Sequence, residues 1–117
     1  MKIGVVGSRS FNDYKLLKDT LDKYLSEATI IVSGGAKGAD SLGERWAKEN
    51  GVETLIFIPD WDKHGKQAGF LRNFEIIENS DIIVAFWDGL SRGTEHTIYN
   101  AREDDKEVII IYFNKVF

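Results

Sequence analysis

The chain has no cysteine, which excludes disulfides and thiolate metal sites and fits a reducing compartment only by default. No apolar run comes near the roughly 20 residues needed to span a bilayer. The opening Met1-Lys2-Ile3-Gly4-Val5-Val6-Gly7 is too short for a signal peptide and reads as a strand. Repeats, low-complexity stretches and linkers are all missing. So is a basic excess: 15 Lys and Arg stand against 19 Asp and Glu, a formal net charge of −4. That balance disfavours a DNA-coating role, because phosphate-backbone binding needs a basic face. It leaves open a small anion held by local donors. The expectation is a cytoplasmic protein with no membrane segment, no metal and no resident cofactor.

What is present suits one domain over residues 1–117, with 43% hydrophobic and 12% aromatic residues arguing for a packed globule. Five short segments rich in Val, Ile and Phe predict strands at Lys2–Val6, Thr29–Val32, Glu53–Ile58, Asp81–Phe86 and Glu107–Tyr112. Most are continuous apolar runs, as in strands covered on both faces. Amphipathic stretches alternate with them. Asp13 caps the first, with Leu17, Leu21, Tyr24 and Leu25 as its apolar stripe. The second carries Ala39, Leu42, Gly43, Trp46 and Ala47, and Gly51 stops it. The third runs from about Phe70 to Asn79 with Leu71, Phe74 and Ile77 inward. The fourth runs from about Thr94 to Asp104 with Ile98 and Ala101 inward. This alternation predicts an α/β, Rossmann-like three-layer sandwich: a five-stranded parallel sheet in the order 3-2-1-4-5, helices on both faces, and ligands outside the strand C-termini at the switch between strands 1 and 4.

The glycines favour that edge. Gly7, Gly34, Gly35, Gly38, Gly65, Gly69, Gly89 and Gly93 all follow strand ends, out of 11 in the chain. Tight turns alone would explain some of them. Close backbone approach to a ligand explains the bias. After strand 1, Gly7, Ser8 and Arg9 suit a phosphate or carboxylate. After strand 2, Ser33-Gly34-Gly35-Ala36-Lys37-Gly38-Ala39-Asp40 runs straight into a helix and offers free N–H groups to an anion. It is neither a Walker A loop nor a Gly-x-Gly-x-x-Gly fingerprint. Asp40 either complements the helix dipole or meets a ribose hydroxyl. Trp61, in the long third loop, stacks on a base or packs over the sheet edge, and His64 there reads as solvated. After strand 4, Asp88, Ser91, Gly93 and Thr94 lead into the fourth helix, with Thr94 as a possible N-cap.

These motifs (Gly7-Ser8-Arg9-x-Phe11, Ser33-Gly34-Gly35-Ala36-x-Gly38-Ala39-Asp40, Asp60-Trp61, Gly69-x-x-Arg72-Asn73 and Phe86-Trp87-Asp88-Gly89-x-Ser91-x-Gly93-Thr94) resemble the YspA-like branch of the SLOG superfamily. That superfamily groups DprA/Smf-like proteins with the LOG nucleotide hydrolases. The resemblance covers almost the whole chain and implies a Rossmann-like fold binding a nucleotide or nucleotide-derived ligand, with Arg72 and Asn73 added to the site. It also implies a homodimer or higher homo-oligomer, for which Tyr99 and Phe117 are candidate contacts. By analogy with LOG enzymes, which cleave the N-glycosidic bond of nucleoside monophosphates, Arg72 and Glu95 are the catalytic candidates. The LOG glutamates fall two and three positions past the threonine, whereas Glu95 is adjacent to Thr94. One residue turns a helical side chain by about 100°. The expected function is a nucleotide sensor or sequestering protein, with an N-glycosidic hydrolase as the alternative and a DprA-like DNA-associated protein as the second.

Overall fold

In the computed structural model, residues 1–113 are described. Five parallel strands, β1 (Lys2–Gly7), β2 (Ile30–Ser33), β3 (Glu53–Ile56), β4 (Ile82–Trp87) and β5 (Glu107–Tyr112), form one sheet in the order β3-β2-β1-β4-β5. The helices are α1 (Tyr14–Leu21), α2 (Ala39–Glu49), α3 (Trp61–His64), α4 (Ala68–Glu78) and α5 (Arg92–Glu103), with 3-10 turns at Asp22–Tyr24 and Gly65–Gln67. The expected strand order and Rossmann-like architecture are present. None of the helices among the described residues is long and apolar enough to cross a membrane.

The sheet separates two cores. On one face, Ile3, Val5, Ile31, Ile82, Val84 and Phe86 pack with Leu17, Leu21, Trp46 and Ala47 of α1 and α2. On the other, Val6, Val32, Ile83 and Ala85 pack with Ile76, Ile77, Ile98 and Ala101 of α4 and α5. The period-two alternation along β4 sends successive side chains to opposite cores, so its continuous apolar run has a physical cause. Fully burying each such side chain is worth about 1.5–3 kcal/mol. Asp13 caps α1 by accepting from the Leu16 N–H at 3.1 Å. Trp46, fully buried, donates its indole N–H to Asp22 at 2.9 Å.

Three expectations are corrected. In α4, Leu71 and Phe74 are 40% and 47% exposed; Ile77 faces inward as expected, and Ala68, Asn73 and Ile76 join it. Leu25 lies beyond α1 and is exposed. β3 ends at Ile56 and is an edge strand with three of its four residues exposed. Phe117 lies outside the described residues.

Candidate functional site

At the C-terminal ends of β1 and β4, where their crossovers leave in opposite directions, lies a cavity of about 520 Å³. Its first wall is the turn after β1. Ser8 is buried; its N–H donates to the Phe86 carbonyl at 2.9 Å, and its Oγ accepts from the Asp88 N–H at 3.2 Å. Loops one and four are thus stapled together across the switch. Arg9 follows, exposed at the cavity edge.

Asp88 builds the next wall. Its Oδ1 accepts from the N–H groups of Leu90 at 2.8 Å and Ser91 at 2.9 Å. The Ser91 and Leu90 amides hold this carboxyl below the usual carboxylate range and aim the start of α5 at the cavity. α5 has no side-chain cap. Among the described residues, the backbone N–H groups of Gly93 and Thr94 have no acceptor, as at any helix start left open to solvent or ligand. The Ser91 and Thr94 hydroxyls lie 3.2 Å apart beside them. Such an end carries partial positive charge and favours an anion.

The β2–α2 loop behaves differently. Asp40, in the first turn of α2, accepts from the Gly34 N–H at 2.9 Å and the Ala36 N–H at 3.5 Å through Oδ2. Those two amides are therefore occupied by the protein's own carboxylate. Burial pushes the Asp40 carboxyl up to about 6, against the opposing pull of the Gly34 amide, the Arg72 charge and the Ala36 amide. Ser33 donates to Glu44. Lys37 is exposed and does not line the cavity. Gly38 has φ +83°, and a Cβ there would meet the Ser8 carbonyl oxygen at 2.3 Å; this glycine lets loop two lie directly on loop one.

Arg72 reaches over from α4. Its Nη1 donates to the Gly34 carbonyl and its Nε to Asn73 Oδ1 at 3.1 Å. A Cβ on Gly34 would sit 2.3 Å from Nη1, so that glycine makes room for the guanidinium. Burial lowers the Arg72 pKa, the nearby Asp40 charge opposes this, and the charge on Arg9 lowers it further. Two like charges therefore share the site. Asn73, buried, donates to the Gly93 carbonyl at 3.2 Å and ties α4 to α5.

Of the residues expected from sequence, Gly7, Ser8, Arg9, Asp40, Trp61, Arg72, Asn73, Asp88, Ser91, Gly93 and Thr94 line this cavity. Ser33, Gly34, Gly35, Lys37 and Gly38 do not line it; Gly34 and Gly38 act as spacers in its wall. Glu95 is exposed and lines a separate groove with Phe70, Arg92, His96, Tyr99 and Asn100. Reasoning from sequence missed Lys66, Phe70 and Thr97, which also line the cavity. Thr97 stands three residues after Thr94 on the same helix face, a spacing that signals it. Phe70 borders both the cavity and the separate groove.

Residues 1–64 match the model of the family described as YspA, cpYpsA-related SLOG. The chain belongs to that family. It is 35% identical to the Gene 61 protein of Mycobacterium phage D29 over 117 residues, covering 92% of this chain and 94% of that protein. Among solved structures it is similar to DNA processing protein A (DprA) from Streptococcus pneumoniae, with a TM-score of 0.83 at 23% identity over 98% of this chain. The chain spans about half of that DprA chain, 51%. It is also similar to TM1055, with a TM-score of 0.68 at 22% identity over 92% of this chain and 71% of that one. These two likenesses bear on the fold.

Proposed function

We propose that residues 1–117 act as one domain that binds a nucleotide or nucleotide-derived ligand by its phosphate, as a sensor or sequestering protein. The observation that carries this is convergence. The open start of α5, the Ser91 and Thr94 hydroxyls and three cations, Arg9, Lys66 and Arg72, border one cavity whose rim carries the exposed Trp61 and Phe70. Charge-assisted bonds from arginine and backbone N–H groups suit phosphate, and the aromatic rings suit a base. Membership of the SLOG family supports a nucleotide-related ligand.

Thermal denaturation with nucleotides and ADP-ribose tests it. Ligand at about 100 times its dissociation constant adds about 2.7 kcal/mol, which raises Tm by very roughly ten degrees in a chain of this size. Arg72→Ala should remove most of that shift. No shift with any of these compounds at millimolar concentration overturns the proposal.

A second reading, N-glycosidic hydrolysis, is favoured by one observation: the carboxyls of Asp40 and Asp88 border the same cavity as Arg72. An oxocarbenium-like transition state calls for such a carboxylate, and Glu95 faces another groove. Release of free base from AMP, abolished by Arg72→Ala, would establish it; intact AMP after prolonged incubation would remove it.

Self-association is the companion proposal. Phe70, Phe74 and Tyr99, the last 63% exposed, gather around His96 on the outer face of α4 and α5. This exposed aromatic cluster supports reading the face as a contact between two copies of the chain. Light scattering after gel filtration should give a mass of at least twice 13.3 kDa, falling to the monomer in Tyr99→Glu; a monomeric wild type overturns it.

A further inference from the structure

We propose that Asp40 makes this cavity selective for a ribose over a deoxyribose, by accepting a hydrogen bond from a sugar hydroxyl. The inference rests on the nucleotide reading and goes beyond it by naming the sugar. Asp40 is 5% exposed and lines the cavity. Its Oδ2 is taken by the Gly34 and Ala36 amides. Among the described residues its Oδ1 has no hydrogen-bond partner. Yet none of the described side-chain oxygens or nitrogens is both sealed from solvent and unpartnered, so Oδ1 opens on the cavity. The carboxylate cannot rotate away, because Oδ2 is anchored by two backbone amides of its own loop.

An ionised carboxylate only accepts hydrogen bonds, so whatever meets Oδ1 must donate. A phosphate is excluded there by like charge. The aromatic rings of Trp61 and Phe70 stand at the exposed rim and suit the base, and the α5 start suits the phosphate. The part of the ligand left for Asp40 is the sugar joining the two. Oδ1 has two lone-pair sites, so it can accept from the 2′ hydroxyl, the 3′ hydroxyl or both.

Calorimetric titration of the full chain with the four ribonucleoside monophosphates and their 2′-deoxy and 3′-deoxy counterparts decides this. A hydrogen bond to a charged group predicts that removing the recognised hydroxyl weakens binding about 10-fold to 100-fold. In Asp40→Ala, which leaves no polar atom for the sugar, the ribonucleotide and both deoxynucleotides should bind within about threefold of one another, once circular dichroism shows the variant folded. Equal binding of all three forms by the wild type overturns the inference and leaves nucleotide binding standing. Ribose preference that survives in Asp40→Ala overturns the role of Asp40. Binding of none of these compounds overturns the nucleotide reading and this inference together. The wild-type comparison needs no variant and decides alone if Asp40→Ala does not fold.

Discussion

Gly38→Ala is expected to lower stability by about 3 kcal/mol or more and Tm by roughly ten degrees. Two separate causes act at this position. The backbone sits at φ +83° and ψ −128°, a conformation that costs an L-residue on the order of 1–3 kcal/mol. The new methyl would also lie 2.3 Å from the Ser8 carbonyl oxygen and 2.7 Å from that of Arg9. Both are backbone atoms, and Ser8 is pinned to Phe86 and Asp88, so the clash cannot be relieved by turning a side chain. Gly89→Ala supplies the contrast: its φ is +84°, yet a Cβ there meets nothing within 4 Å. It should cost only about 1 kcal/mol, the strain alone. Urea unfolding of both variants measures the gap. Equal losses in the two would show that the contact between loops one and two is not what makes Gly38 necessary.

The second large effect is on pH dependence. Asp40 is held at about 6, chiefly by burial, above its unfolded value of about 3.9. The folded state therefore binds this proton more tightly than the unfolded state. The stability tied to it is fully present below pH 4 and is lost as pH rises through 6. A separation of about two units corresponds to about 3 kcal/mol. Asp40→Asn imitates the protonated form and keeps an oxygen for the Gly34 and Ala36 amides. The variant should match the wild type near pH 4 and exceed it by about 3 kcal/mol at pH 7.5. Calorimetric melting of both proteins across that range checks the sign. A gap that stays constant with pH would mean Asp40 titrates near its ordinary value. Ligand that donates to Oδ1 stabilises the ionised form, so its binding should also release protons below pH 7.

The strand order was legible from the strict alternation of strands and helices, and the continuous apolar run of β4 marked a strand covered on both faces. The sheet edge that carries the cavity was legible from Gly34, Gly38 and Gly93, because glycine is informative where a backbone must pass closely. α4 was harder. Phe70, Leu71, Phe74, Ile76 and Ile77 place apolar residues nearly all round the helix, so periodicity alone does not fix its inward face. What fixes it is Asn73, whose polar side chain finds Gly93 on α5. The role of Asp40 was left between two readings because sequence shows its place in the first turn of α2 but not the return of the loop onto its carboxylate. Glu95 shows the converse: beside Thr94 in sequence, it lies one helical step away from the cavity in space.

The stapling of Ser8 to Asp88 joins residues 80 positions apart. Closing so long a loop is entropically costly, and such pairings slow folding. Residues 1–64, which include β1, β2 and α2, therefore hold only one bank of the cavity; the other arrives with α4, with the loop after β4 and with α5. A nascent or truncated chain ending before β4 would have no place for a ligand. On the proposed nucleotide reading, binding would report that the two halves have met, and added nucleotide should slow their separation during unfolding.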